Sequence, residues 1–395
     1  MLLRLKFKID ALVTEILDQL PKEVFESSTT TFFDPAMAGG QFVVQIEKRL
    51  RACGHSDENI ASRVYGLAED IIDLNYAINT KKLIGRYAVG GLEEMEQCNM
   101  KFDVIVGNPP YQARKGESAT IWDVIINMTF DLLQPNGHMA MITPSSWRKP
   151  GHALWNKLTQ DRQLIWLDIN NDIDGMRVFG AGTRFDRYVI KNAHVTATFN
   201  TTIIDEMGVR LILPLAFTKY LPNAGISIFN KIMTSNGPKL NAIKTSESHT
   251  QRNHISKNSS SHFIFKQLNA ISKTGDITSV YSSIPHSKQN DKKVIFSDSR
   301  FLIPYYDKLG EYGTTQHGIY IIVSSDREGN NLVDFLKSPL IQFIIKFSKW
   351  SNFQIEWKML LDIDWPFATS ESVNTDMIYT HFNLTQEEIN YIEEK

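Results

Sequence analysis

The amino-acid sequence predicts an α/β protein: a doubly wound, mainly parallel sheet followed by a smaller C-terminal α+β domain. Three observations point there. Helical apolar periodicity alternates with short β-branched runs from residue 9 to about 195, the pattern of strand-helix-strand units that build parallel sheets. Two of the turns that follow such runs, at 34–42 and 107–112, are unusual in composition. Beyond about residue 200 the alternation fades into long polar stretches, with aromatic residues clustered late at Trp350, Phe353, Trp357 and Trp365. The expected division is therefore 1–200 and 201–395.

The elements follow in order. Ile9, Leu12, Val13, Ile16, Leu17 and Leu20 recur at the i, i+3, i+4, i+7 spacing of one helix face. TTFFD reads as a strand, and DPAMAGGQF turns from it into a helix whose Phe42, Ile46 and Leu50 face inward. A strand near SRVYGL, the helix DIIDLNYAINTKKL and strands near RYAVG and FDVIVG come next. The helix TIWDVIINMTFDLL and the strands HMAMIT, QLIWLDI and RYVIKN complete the alternation. In the tail LTQEEINYIEEK, Thr385 and Glu388 have the spacing of a capping box that starts a short helix. Ligands of such sheets bind beyond the carboxyl ends of the strands, and both unusual turns belong there.

The 395 residues are 42% hydrophobic and 22% charged, as in a soluble globular protein. Cys53 and Cys98 make no C-x-x-C pair and no disulfide framework, which predicts a reducing, cytoplasmic setting. The stretch MLLRLKFKID scatters basic residues through its apolar ones, so no signal peptide is expected, and no apolar run reaches membrane-spanning length. No membrane partner is expected either.

A net charge of −2 does not mark a nucleic-acid binder, so any grip on phosphate needs a local patch. Residues 246–300 offer Arg252, Lys257, Lys266, Lys273, Lys288, Lys292, Lys293 and Arg300 against Glu247, Asp276, Asp291 and Asp298. A solvated, serine-rich loop is the other reading of that stretch.

The strand FDVIVG stops at Gly107 and is followed by Asn108-Pro109-Pro110-Tyr111. Consecutive prolines donate no backbone hydrogen bond and fix φ, so the segment is stiff. It presents an amide, the Pro109 carbonyl and a flat ring: a small rigid acceptor site. In DPAMAGGQF, Asp34 stands at a strand end and Gly39 and Gly40 open a helix, where a ligand can approach the main chain. The stretch is neither G-x-G-x-x-G nor a Walker loop. A carboxylate there repels a pyrophosphate and favours a cation, which suits the ammonium and sulfonium of S-adenosylmethionine; for this motif alone an ordinary tight turn serves as well.

Together, ALVTEILDQLP, DPAMAGGQF, FDVIVGNPPYQ, GHMAMITPSSW and FDRYVIKN give a chain that resembles the S-adenosylmethionine-dependent N6-adenine DNA methyltransferases. The subgroup is the one whose cofactor motif precedes the NPPY motif and whose target-recognition domain is C-terminal. The resemblance covers residues 9 to about 195. It implies a Rossmann-like methyltransferase domain over 1–200, a recognition domain over 201–395, S-adenosylmethionine as cofactor, double-stranded DNA as substrate, no metal, and either a cognate restriction endonuclease as partner or a phage-borne or solitary enzyme. Position by position it makes Asn108, Pro109, Pro110 and Tyr111 the catalytic tetrapeptide. It places Asp34, Pro35, Ala36, Gly39 and Gly40 around the methionine part of the cofactor, with Ala38 where glycine is usual. Ala68 fills the usual place of an acidic residue for the ribose, with Glu69 or Asp70 just beyond. Gly91 stands where an aspartate often meets the adenine amino group, and Glu93 is the nearest carboxylate.

The chemistry accounts for the tetrapeptide. The exocyclic nitrogen of adenine is a poor nucleophile because its lone pair is delocalised into the ring. If the Asn108 side-chain oxygen and the Pro109 carbonyl each accept one N–H, the nitrogen is drawn toward a tetrahedral shape with its lone pair aimed at the methyl donor. Such acceptors act as preorganised dipoles while positive charge develops on nitrogen. Tyr111 would stack on the base, which must leave the duplex to reach the pocket. No covalent nucleophile or metal is needed, and the sequence shows no ligand cluster for one.

Residues 201–395 must then supply phosphate contacts and base-edge readers. KFSKWSNF, with Lys346 and Lys349, and Arg327 upstream, mixes cations with aromatics as nucleic-acid surfaces do. The alternative is that Trp350, Phe353 and Trp357 build the domain's core. Glu356-Trp357-Lys358 has the E-x-K spacing of metal-dependent nucleases, without a partner aspartate placed for it. Two other functions stay open. One is an NPPY-type methyltransferase for RNA or a protein glutamine, whose added domain usually precedes the sheet. The other, motivated by Ala68 and Gly91, is a DNA-binding module with a lapsed cofactor site.

Overall fold

A computed structural model describes residues 2–112, 120–215, 218–299, 301–351 and 354–395, with side chains from residue 9 onward. Arg300 and Phe353 of the sequence analysis lie outside the described residues. The chain divides into two compact units, 1–220 and 221–395.

The first unit is built on a nine-stranded sheet. Its strands are β1 (Phe32–Asp34), β2 (Val64–Ala68), β3 (Arg86–Val89), β4 (Phe102–Gly107), β5 (Leu133–Pro144), β6 (Gln163–Asn170), β7 (Phe185–Lys191), β8 (Asn200–Ile204) and β9 (Arg210–Pro214), in the order β3-β2-β1-β4-β5-β7-β6-β8-β9. Every pairing from β3 to β5 is parallel. β7 inserts antiparallel between β5 and β6, β8 runs parallel to β6, and β9 closes a hairpin on β8. The helices are α1 (Leu2–Leu17), α2 (Glu23–Glu26), α3 (Gln41–Ala52), α4 (Asp57–Arg63), α5 (Ile71–Lys81), α6 (Leu92–Glu96), α7 (Trp122–Leu132), α8 (Leu154–Thr159) and α9 (Asp172–Phe179). This is the mainly parallel α/β sheet the alternation predicts.

The apolar faces expected on α1 and α3 are the buried ones. Val13, Ile16 and Leu17 pack with Phe42, Val43, Ile46 and Leu50 against Phe32, Val64, Val104 and Val106 of three neighbouring strands. Each such side chain contributes about 1.5–3 kcal/mol on burial, so the middle of the sheet is the rigid part of the unit. The strand order reverses between β1 and β4: β1 leads through α3 to β2 on one side, and β4 leads to β5 on the other. Chain connections departing in opposite directions leave a crevice beyond the carboxyl ends of those two strands. β1 ends at Asp34 and β4 at Gly107.

α9 departs from the expected direct passage between the last two strands. Ile173 and Met176 are exposed on it, while Val178 and Phe179 at its end pack on the core, so the apolar spacing is confined to its last turn. Gly175 lies inside it because a Cβ there would stand 1.9 Å from the Thr183 carbonyl oxygen.

The second unit holds two four-stranded sheets. β10 (Ile243–Lys244), β17 (Gly318–Ile322), β14 (Lys293–Ser297) and β15 (Tyr305–Asp307) form one; β11 (Ile255–Ser256), β13 (Ile277–Ser282), β12 (Phe265–Ile271) and β16 (Gly313–Thr314) form the other. Its helices are α10 (Ile226–Met233), α11 (Asp326–Lys337), α12 (Pro339–Phe347), α13 (Thr375–His381) and α14 (Gln386–Glu393). The capping box expected at α14 is present, with Thr385 and Glu388 bonded reciprocally. Trp350 and Trp365 are buried, whereas Trp357 is half-buried.

The cationic stretch 246–300 is not loop throughout: it carries β11 to β14, while its serine-rich part, 257–262, is exposed and outside any strand. Nor are all its cations free. Lys293 is buried against Asp307 at 2.9 Å, Lys292 pairs with Asp326 at 2.7 Å, and Lys288 with Asp291 at 3.4 Å. Among the described residues, no helix is long and apolar enough to cross a membrane.

Candidate active site

The crevice at the strand-order reversal is lined from β1 by Asp34. Its side chain is 1% exposed, and Oδ1 accepts the Ala36 N–H at 3.1 Å. Among the described residues no cation pairs with it. Burial pushes the carboxyl up to about 7 against the opposing Ala36 N–H. A buried carboxylate without a counter-charge is unfavourable unless a cation joins it. The Asp34 site therefore fits a cationic ligand.

The rest of the turn explains its glycines unequally. Gly40 begins α3 at φ 76°, and a Cβ there would meet Leu83 Cδ1 at 3.1 Å and Ala77 Cβ at 3.2 Å, so the fold itself requires glycine. Gly39 has no positive φ, and a Cβ on it would come no nearer than 3.4 Å to the Gln41 side chain. Ala38, where glycine is usual in the family it resembles, sits at φ 41° in the left-handed region. The Met37 N–H donates to the Leu67 carbonyl at 2.8 Å, which ties this turn to the end of β2.

β2 ends beside β1, so Glu69 and Asp70 lie at the same edge of the sheet as Asp34. Asp70 caps α5, its Oδ1 accepting the Ile72 and Asp73 N–H groups at 2.8 Å each. Glu69 is exposed. On the far side of β2, the Gly91 N–H donates to Glu94 at 2.7 Å, while Glu93 is exposed and turned to Gln97.

From β4, Gly107 abuts Asp34 and the chain enters the Asn-Pro-Pro-Tyr corner. Pro109 is buried and Pro110 exposed. Asn108 Oδ1 is buried without a hydrogen-bond partner among the described residues, and so is the Tyr111 hydroxyl. An unpaired buried polar atom costs about 1–3 kcal/mol, and native proteins seldom tolerate one without a use. Asn108 can accept a donor; the Tyr111 hydroxyl is pushed above its ordinary value by burial and by the nearby Asp186 and Tyr188, so it stays protonated.

The structure brings Asp34, Pro35, Ala36, Gly39 and Gly40 to one strand end, Glu69 and Asp70 to the next, and Asn108 to Tyr111 to the third. It also adds residues the sequence did not single out. The Tyr111 ring meets Phe179 edge-on, centroids 6.1 Å apart at 71°, and Phe179 meets Phe185 at 4.9 Å and 78°. Phe185 opens β7, where Asp186 follows. Asp186 and Arg148 form a fully buried bidentate pair at 2.7 and 3.1 Å. The one signal for this pair was two adjacent charges, Asp186 and Arg187, inside an otherwise apolar strand. Arg187 in turn holds Asp168 at 2.5 Å and Glu15 at 2.6 Å.

Residues 41–173 match the model of the Eco57I restriction-modification methylase family. That segment contains the NPPY corner but neither Asp34 nor the second unit. Among solved structures the chain is similar to the type I restriction enzyme EcoKI M protein, with 14% identity over 48% of this chain and 47% of that one, TM-score 0.40. It is similar to the type I restriction-modification methyltransferase subunit from Streptococcus thermophilus, with 15% identity over 45% and 42%, TM-score 0.35. It is also similar to the type IIL restriction-modification enzyme MmeI in complex with DNA, with 9% identity over 91% and 65%, TM-score 0.47. The chain spans about half the length of the first two of these. Comparison with curated proteins gives no match. The likeness to the Eco57I restriction-modification methylase family thus rests on residues 41–173.

Proposed function

We propose that the first unit transfers a methyl group from S-adenosylmethionine to the exocyclic N6 of an adenine extruded from duplex DNA, as the modification methylase of a restriction system. The observation that carries this reading is Asn108 Oδ1, a buried acceptor with no donor among the described residues, at the sheet's reversal point beside the Asp34 carboxylate, which no described cation meets.

Each residue has a task in this reading. When bound, S-adenosylmethionine supplies an electrophilic methyl group on its sulfonium. Asp34 holds the ammonium end, and the unbonded N–H groups in the first turn of α3 receive the carboxylate. Gly39 leaves the room that packing does not demand. Glu69, and the Asp70 oxygen that does not cap α5, face the ribose hydroxyls. Asn108 Oδ1 and the Pro109 carbonyl accept the two hydrogens of the target amino group, which turns its lone pair toward the methyl donor. Pro110 keeps the corner stiff. Tyr111, braced edge-on by Phe179, presents its face to the extruded base.

Residues 201–395 would read the target sequence, and a cognate endonuclease that cuts the unmodified site would be the partner in the cytoplasm. Genomic DNA from cells expressing the chain tests the reading. Long-read mapping should find adenines methylated in one fixed sequence context, and none in cells expressing Asn108→Ala. Unmodified DNA with methyl transfer to RNA or to protein glutamine would overturn the substrate.

A further inference from the structure

Two cationic stretches singled out in the sequence, 246–300 and KFSKWSNF, converge on one ring in the second unit. Phe301 is 38% exposed. The Lys273 ammonium stands 5.5 Å from its ring centre and the Lys349 ammonium 5.6 Å. Lys273 lies in the turn between β12 and β13, and Lys349 follows α12, where Asn223 Nδ2 holds its carbonyl at 2.7 Å.

Seven lysines of this unit are neutralised internally. Lys231, Lys239, Lys244, Lys288, Lys292, Lys293 and Lys308 each meet a carboxylate. Lys273 forms no ion pair among the described residues. The acid in its own turn, Asp276, is engaged by Thr274 at 2.5 Å and Ser272 at 3.2 Å. An exposed apolar ring alone would mean little. A ring flanked by two ammonium groups, at least one lacking a carboxylate, is complementary to a polyanion that also offers flat apolar faces, which is the make-up of nucleic acid.

We propose that Lys273, Phe301 and Lys349 form a duplex-DNA contact in which the two lysines take phosphates and the Phe301 ring packs on, or wedges into, the base step they flank. The proposal rests on the DNA-methylase reading of the first unit and adds the place where the second unit grips the duplex.

The test is the salt dependence of binding of the full chain to a random-sequence duplex, followed by fluorescence anisotropy. One phosphate contact contributes about −0.9 to the slope of log K against log salt. Lys273→Gln and Lys349→Gln should each reduce the slope by about 0.9 and weaken binding up to about eightfold near ~0.1 M salt. Phe301→Ala should weaken binding without changing the slope, and Phe301→Leu, which keeps apolar volume, should weaken it less. Lys308→Gln, which removes a lysine paired with Asp326, should leave the slope unchanged. If the chain methylates DNA but the Lys273 and Lys349 variants keep the parent slope, this proposal falls and the methylase reading stands. If the parent binds no duplex, both fall. If the variants lose binding to single-stranded RNA or polyglutamate while duplex binding is unaffected, the patch serves that polyanion instead and the proposal is overturned.

Discussion

Gly107 and Asp34 meet across the reversal of strand order: a Cβ on Gly107 would stand 3.2 Å from Asp34 Oδ1, with Met141 Sδ at 3.5 Å and Pro35 Cδ at 3.7 Å. The residue before the tetrapeptide is therefore small because the carboxylate beside it needs the space. Gly107→Ala should displace the Asp34 carboxylate from its place at the strand end. Affinity for S-adenosylmethionine, measured by calorimetry, should fall roughly tenfold, about 1.4 kcal/mol. An unchanged affinity would separate the two turns.

Asp34 also sets a pH dependence. Its carboxyl titrates at 3.8 when unperturbed and at about 7 when folded, so the folded state holds the proton more tightly across that window. Stability without cofactor should fall as pH rises from about 4 to about 7, by up to roughly 4 kcal/mol, and level off above. Cofactor binding needs the ionised carboxylate, so affinity should rise over the same range. Denaturant titrations at pH 5 and pH 8 check the first trend, and Asp34→Asn should flatten it.

Ala38 stores strain in the cofactor turn. An L-residue in the left-handed region costs about 1–2 kcal/mol, and glycine returns about 0.4–1 kcal/mol of that through the unfolded chain. Ala38→Gly should stabilise the protein by about 0.5–1 kcal/mol. Gly40→Ala, at φ 76° with Leu83 and Ala77 in the way, should destabilise it. Both are read from denaturation midpoints.

The buried Arg148–Asp186 pair supports the Phe185 and Phe179 side of the site. Arg148→Met leaves a buried carboxylate without its cation and should destabilise the protein by about 3–5 kcal/mol. Arg148→Met combined with Asp186→Leu should recover most of that loss. A double variant no better than the single one would show that packing, not charge, holds this corner.

The sheet and the two unusual turns at its strand ends were legible because their causes are local. β-branched runs and helical spacing mark β1, β4, α1 and α3, and two prolines after a strand mark the acceptor corner. What escaped depends on contacts distant in sequence. Phe179 belongs to a helix whose only local signal was the Asn171 cap with Asp174 three residues on. Asp186 and Arg148 look like surface charges until β5 and β7 pair. Within 246–300 the charge pattern hides a pairing, since Lys293 and Asp307 are far enough apart in sequence to look independent, yet each is buried against the other. The 1–200 expectation stops at the first residue of β8, whose parallel pairing with β6 keeps the β8–β9 hairpin in the first unit.

The most direct measurement is single-turnover methyl transfer from labelled S-adenosylmethionine to duplex DNA by the parent and by Asn108→Ala, with cofactor binding measured alongside. Loss of one preorganised acceptor should slow transfer to adenine by about 10²–10³-fold, about 2.7–4 kcal/mol, while the cofactor binds as before. Equal rates in the two proteins would contradict the account.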